Sequence, residues 1–276
     1  MTQKSNCPIC HSQVKLFSDF LIQGKIRGRY LSCISCQFIY ADNPIWLEGS
    51  FTDALNSLEI GSLDRCIIVA DFVEVLLTSF GEDKPKVLDW GGGYGLLTRL
   101  LRDRGVDCAH YDPYVEPLFA KNIDFNVGDQ FDLVIMSEVM LHMTDPLDTL
   151  SELLKISKRI MFTAVIAPLD VTPEWWYFMP DTGQHVTIFS EASISELGVA
   201  LEASVLSDKS FFHLVSKSQP KFTTRLLFTK RFIPFGFSAC FYLLRQVKRA
   251  IGKNQSLLQE DQEELMSNLP WKRKPL

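Results

Sequence analysis

Four sets of residues in this 276-residue chain have types and spacings that could do chemistry. The first is Asp89-Trp90-Gly91-Gly92-Gly93-Tyr94-Gly95, a glycine-rich loop headed by an acid. Glycine has no Cβ and tolerates positive φ, so a ligand can approach such a loop closely. The second is Asp112, seventeen residues beyond Gly95 and placed to accept hydrogen bonds from a pair of hydroxyls. The third is two Cys-x-x-Cys knuckles, Cys7/Cys10 and Cys33/Cys36, separated by twenty-two residues. Four thiolates satisfy tetrahedral zinc, and no histidine or carboxylate interrupts the set to leave an open position. A structural metal is therefore expected, in a module of about forty residues that is too small for an unaided core. The fourth is the histidines. His185 follows a turn-rich aromatic segment that starts at Trp175, and His142 follows the Phe131–Met136 run. Either could take a proton at neutral pH, and either could instead only order its loop.

The glycine loop excludes some ligands. A dinucleotide fingerprint needs glycine or alanine at the third position, Gly-x-Gly-x-x-Gly/Ala. Counted from Gly91 that position is Leu96, and counted from Gly93 it is Thr98. A P-loop would need Gly-Lys-Ser/Thr, which does not follow the loop. Asp89 would repel a pyrophosphate but could accept hydrogen bonds from an ammonium group.

The elements that must position these residues alternate between strand and helix patterns. Asp64 to Phe80 is apolar at helical spacing and ends near Gly81. Lys86–Asp89 reads as a buried strand entering the loop, and Tyr94–Arg104 as a helix stopped by Gly105. Further strands are expected over Asp107–Tyr111, Phe131–Met136, Arg159–Val165 and Ser210–Lys217, with helices over Pro146–Lys158 and Glu191–Glu202. Such alternation implies a mostly parallel sheet covered on both faces, with the ligand beyond the carboxyl ends of the strands.

Val87-Leu88-Asp89-Trp90-Gly91-Gly92-Gly93-Tyr94-Gly95, Tyr111-Asp112-Pro113-Tyr114 and the run from Phe131 to Pro146 together resemble the class I S-adenosylmethionine-dependent methyltransferases. The resemblance covers roughly residues 63–218. It implies a Rossmann-like α/β fold with a seven-stranded sheet whose last strand is antiparallel. It also implies S-adenosylmethionine as cofactor, held by Asp89, Gly91, Gly92, Gly93, Tyr94, Gly95 and Asp112, with Ser137 and Glu138 lining its pocket. Trp90 departs from the family, which more often has a small or aliphatic residue there. The short stretch from Asp112 to Phe131 leaves Asp124 and Asp129 as alternatives for the acid that would contact adenine. Gly183-Gln184-His185 resembles a segment of methyltransferases in sugar and natural-product pathways, some of which carry a similar zinc module.

Apolar residues make up 46% of the chain and charged residues 22%, as in ordinary globular proteins. The net charge of −5 gives no reason to expect DNA. From Ser210 to Gln259 there is no acid, whereas nine lysines and arginines fall there. That basic segment, with its apolar run Phe232–Leu244, could pack on the body as an amphipathic helix. It could also make a peripheral membrane or protein contact through 219–253. The run is too short to span a bilayer, and the N-terminus lacks an apolar leader, so a cytoplasmic location is expected. The expected organisation is a zinc ribbon over 1–45, a methyltransferase domain over 46–218 and a basic, helical extension over 219–276. The leading function is methyl transfer to a small-molecule acceptor, with a nucleotide-linked sugar or natural-product intermediate as a candidate and His185 and His142 as candidate bases. An RNA- or protein-directed methyltransferase and a non-catalytic cofactor-binding module are the alternatives.

Overall fold

A computed structural model of the protein describes residues 6–51, 61–229, 257 and 261. The chain begins with an antiparallel hairpin of β1 (Val14–Ile22) and β2 (Ile26–Cys33). Gln23 and Gly24, at φ 51° and 66°, make the turn, and Lys25 N–H donates to the Ile22 carbonyl at 3.0 Å. Positive φ at both central residues gives a type I′ turn, whose twist matches that of the two strands. β3 (Ile39–Ala41) pairs antiparallel with β2. The helix α1 (Ser62–Phe80) follows and ends on Gly81 at φ 63°, whose N–H reaches back to the Thr78 carbonyl.

The remainder builds the alternating body. In chain order it contains β4 (Val87–Trp90), α2 (Leu96–Arg102), β5 (Cys108–Tyr111), β6 (Leu133–Ser137), α3 (Pro146–Ile156) and β7 (Arg159–Thr163). Then come β8 (Thr187–Ile188), α4 (Glu191–Ala200), β9 (Ser204–Ser207), β10 (Phe212–Ser216) and α5 (Phe222–Leu227). Local chemistry sets several of these starts. Asp145 caps α3 by accepting from Asp148 N–H, with Pro146 in the first turn. Ser190 and Ser193 form a reciprocal capping box on α4.

The main sheet has the order β5-β4-β6-β7-β10-β9. β4 is parallel to β5 and β6, and β6 is parallel to β7. β10 is antiparallel to both β7 and β9. Among the described residues the sheet therefore has six strands, where seven are expected from the resemblance. The missing strand falls in the short stretch after β5, which contains Pro113, Pro117 and left-handed Asn122 and Gly128. It pairs through a single bridge, His110 with Asp124, using His110 N–H to Ile123 O and Phe125 N–H to His110 O. The edge position is thus one residue long.

Strand side chains alternate between two cores. Val87, Leu133, Ile135, Met161 and Leu214 face α1, α2 and α5, joining Phe72, Leu76, Leu101 and Leu227. Leu88, Val134, Met136, Ile160, Phe162 and Val215 face the other way. That second core continues without a break into Phe38, Tyr30 and Cys36 of the N-terminal region. The continuity has a backbone counterpart. β8, in the loop after β7, pairs with β3 and so becomes the fourth strand of the N-terminal sheet.

Beyond residue 229, the basic segment, read as a helix packed on the body with a membrane or partner contact as the other possibility, lies outside the described residues, Leu257 and Asp261 excepted. Leu257 and Asp261 are described, and both touch α2. Among the described residues, no helix is long and apolar enough to cross a membrane.

Candidate functional site

The carboxyl ends of β4, β5 and β6 open onto a cavity of about 290 Å³. The glycine loop forms its floor. Gly91 and Gly92 both donate to the Tyr111 carbonyl, at 2.8 and 3.1 Å, which ties the loop to the end of β5. A Cβ on Gly92 would lie 2.7 Å from Asp89 Oδ2. Gly95, at φ 82°, is the N-cap of α2, and a Cβ there would lie 2.6 Å from the Ala120 Cβ. It stands behind the loop and does not line the cavity. Gly93 N–H donates to Asp112 Oδ2 at 2.8 Å, and His110 Nε2 donates to the Gly93 carbonyl at 3.0 Å. Two side chains from β5 and its exit thus hold the loop in shape.

The two acids differ in setting. Asp89 is buried, 1% exposed, and accepts from the Thr98 hydroxyl at 2.8 Å. Burial pushes its carboxyl up to about 6, against the Thr98 hydrogen bond and the His110 charge. Asp112 serves its own turn as well as the loop. Its Oδ1 accepts from the N–H groups of Tyr114 and Val115, and its Oδ2 from Gly93. A carboxylate oxygen accepts two hydrogen bonds, so Oδ2 keeps one lone pair for a ligand. Asp124 and Asp129, the alternatives for an adenine contact, do not line the cavity. Asp124 is in the edge bridge, and Asp129 accepts from Asn126 N–H.

The third wall comes from the end of β6. Ser137 and Glu138 both line the cavity. Glu138 has φ 58°, a costly conformation for a non-glycine residue. Three hydrogen bonds hold it there. Its N–H donates to Thr163 Oγ1 at 2.8 Å, its Oε1 accepts from the same hydroxyl at 3.0 Å, and its Oε2 accepts from the Tyr177 hydroxyl at 2.9 Å.

Of the two candidate bases, His142 lines the cavity and His185 does not. The His142 ring is flanked by Phe51 at 5.3 Å and His185 at 5.7 Å between centroids. Burial pushes it down to about 3, and repulsion from His185 and Arg65 adds to the shift. His185, 5% exposed, lies directly behind it, and burial pushes it down to about 4. Its Nδ1 meets the Tyr177 carbonyl at 2.6 Å, so Nδ1 carries the proton and Nε2 the lone pair. The aromatic segment before it does not wall the cavity. Phe178 plugs the N-terminal sheet instead, against Phe17, Phe20 and Tyr30.

The four cysteines converge at a separate place. Their Sγ atoms all lie within 4.8 Å of one another, with Cys7–Cys36 at 3.6 Å and Cys10–Cys33 at 3.4 Å. The edges of a zinc tetrathiolate are about 3.8 Å, from a Zn–S bond of about 2.3 Å. Backbone N–H groups of Ile9, Ser35 and Cys36 point at the Cys7 and Cys33 sulfurs from 3.4 Å, as anionic thiolates require. The donor set fits a closed, tetrahedral metal.

Several cavity residues were not expected from the sequence: Phe51, Ser62, Arg65, Tyr114 and Gln184. Gln184, one residue before His185, was the most accessible to sequence reasoning. Tyr114 ends the Tyr111–Tyr114 motif but was not read as a cavity residue, and Phe51, Ser62 and Arg65 come from distant segments that carry no local motif.

A family model described as a methyltransferase domain matches residues 66–205, just over half of the chain. No curated protein matches the sequence. Among solved structures, the chain is similar to CalO1, a methyltransferase in calicheamicin biosynthesis (14% identity, 55% of each chain covered, TM-score 0.38). It is also similar to the mitomycin 7-O-methyltransferase MmcR (13% identity, 54% of each chain, TM-score 0.39). A third is the magnesium protoporphyrin IX methyltransferase of Synechocystis PCC 6803 (16% identity, 58% of this chain and 86% of that one, TM-score 0.41). The chain spans about half the length of the first two. On the strength of the family model, the chain belongs to the methyltransferase domain family.

Proposed function

We propose that the chain transfers a methyl group from S-adenosylmethionine to a small-molecule acceptor, with a nucleotide-linked sugar as the first acceptor class to test. One observation carries the reading. A single cavity brings together the glycine loop, both acids, Ser137, Glu138 and a neutral histidine.

When bound, the cofactor supplies a methyl group on a sulfonium centre. Asp89 would hold the cofactor's ammonium and Asp112 its ribose hydroxyls, while the loop backbone would allow close approach. Catalysis then rests on orientation, because the reaction is an in-line displacement. His142, which lines the cavity, takes a proton from the acceptor. A group near 3 is a weak base, so it draws the proton only as the new bond to carbon makes that proton acidic. His185 is a positioning residue that backs the His142 ring. Arg65, Ser62 and Gln184 supply polar groups on the cavity wall for acceptor recognition. Zinc on Cys7, Cys10, Cys33 and Cys36 has a structural role.

Calorimetry with S-adenosylhomocysteine tests the cofactor assignment. The wild type should bind it, and Asp112→Ala should bind at least tenfold more weakly, the loss of one or two charge-assisted hydrogen bonds. No binding by the wild type would overturn the reading. The acceptor class is tested by transfer of labelled methyl to a panel of sugar nucleotides, with RNA and protein as competing classes.

A further inference from the structure

The segment that follows β3 reaches the cavity. Phe51 in that segment lines the cavity with the glycine loop, Asp112 and His142. The Phe51 ring stacks on Tyr114, with centroids 4.9 Å apart and planes 18° apart, and also lies against His142. Tyr114 is two residues beyond Asp112. The pair therefore spans the cavity from the end that would hold ribose to the end that carries the histidine.

Phe51 is not there by loose packing. Trp46, 5% exposed, fills a slot between the β1–β2 hairpin and the loop before β8. A Cβ on Gly28 would lie 2.7 Å from the indole, and one on Gly183 would lie 3.0 Å from it and 2.7 Å from Ile22. Only glycine on both sides leaves the slot open. The indole N–H donates to the Gly183 carbonyl at 2.9 Å. The next turn is fixed as firmly. Gln184 Nε2 donates to the Ser50 carbonyl at 2.8 Å, Gln23 Nε2 donates to Ser50 Oγ at 3.2 Å, and that hydroxyl donates to the Trp46 carbonyl at 3.1 Å. The residue before Phe51 is thus held by the hairpin of the cysteine module and by the loop that carries His185.

We propose that the cysteine module supplies the closing wall of the cofactor cavity, with Phe51 as a cofactor-binding residue that covers the bound molecule together with Tyr114. The inference rests on the S-adenosylmethionine reading above. It gives the module a role in binding: an ordered four-cysteine site holds the hairpin, the hairpin and Trp46 hold the turn, and the turn places Phe51.

The probe is S-adenosylhomocysteine, read by calorimetry on the full chain. Phe51→Ala should weaken binding about tenfold while bound zinc and melting temperature stay at wild-type values. Trp46→Phe, which keeps a ring but removes the indole N–H, should shift affinity in the same direction. Stripping the metal with a chelator should weaken wild-type binding, but add little to the loss in Phe51→Ala, because both act through the same ring. Wild-type binding together with a loss below fivefold in Phe51→Ala overturns the proposal. So does a chelator effect that is undiminished in that variant. If the wild type does not bind at all, the cofactor reading itself fails, which is a separate outcome. Should Phe51→Ala misfold, Phe51→Leu keeps apolar bulk without a stacking face, and the same fivefold criterion applies.

Discussion

Asp89 shows how one buried carboxyl ties ligand affinity to pH. Its carboxyl is pushed up to about 6 because the β4 end is dry, and the Thr98 hydroxyl and His110 recover only part of that cost. An ammonium group brought alongside favours the charged form, so binding and proton loss are linked. Above about pH 6 the carboxylate is already ionised and affinity should be flat. Below it, a proton must leave before the ligand binds, and affinity for S-adenosylhomocysteine should fall toward about tenfold per pH unit. Asp89→Asn should bind more weakly than wild type near neutral pH and lose this dependence in mild acid. Calorimetry across that range decides it, and a flat wild-type profile would falsify the assignment of the ammonium to Asp89. The histidines act differently. His142 and His185, lowered to about 3 and 4, stay neutral throughout this window and contribute no step of their own.

At the scale of elements, the four-cysteine module is the piece whose loss reaches furthest. Its sheet borrows β8 from the loop after β7, and its core is continuous with that of one face of the main sheet. Removing the metal should therefore lower the stability of the whole chain, not only of residues 6–51. Cys7→Ser or Cys33→Ser should drop bound zinc from one per chain toward none. A loss of about 4 kcal/mol would shift the melting midpoint by roughly 10 °C at about 2–4 °C per kcal/mol. Differential scanning calorimetry with parallel metal analysis is the check, and a metal-free protein that melts with the wild type would contradict the shared core. The same elements show what could be read from sequence. The glycine loop and the knuckles were legible because their chemistry is local: a few residues at fixed spacing set the backbone and the donor atoms. The strand β8 was not, because two residues carry no periodicity and their pairing is decided by a sheet formed near the start of the chain. The seventh strand was expected on family resemblance, but 112–131 is too short and too broken by proline and left-handed residues to form more than one bridge. His185 was legible as special, yet its place behind His142 depends on the fold of Tyr177, whose carbonyl holds it.

Across the whole molecule, Leu257 and Asp261 bring the C-terminal region back onto the helix that follows the glycine loop. Asp261, 5% exposed, is held against α2, the helix that leaves the glycine loop. Its Oδ2 accepts from Arg99 Nη1 at 2.8 Å and from Arg102 Nε at 2.9 Å, and its Oδ1 meets Arg102 Nη2. Leu257 N–H adds a bond to the Arg102 carbonyl at 3.0 Å, at the end of that helix. Burial alone would raise the Asp261 carboxyl, but the two guanidiniums outweigh it and hold it below the usual carboxylate range. A carboxyl depressed in the folded state contributes stability that is fully present above its unfolded value and is lost as pH falls through its folded value. Asp261→Ala would leave two largely buried arginines short of a partner. Breaking an isolated buried pair costs about 3–5 kcal/mol, and here Asp103 and Asp107 remain as partial substitutes, so about 2–3 kcal/mol is expected at neutral pH. Chemical denaturation of the wild type and variant at neutral pH and in acid, near the folded value of the carboxyl, tests this. The two curves should be well separated at neutral pH and converge in acid. Equal stability at neutral pH would mean that the C-terminal contact leaves α2 no firmer, and a gap that persists unchanged in acid would mean that the ion pair is not its source.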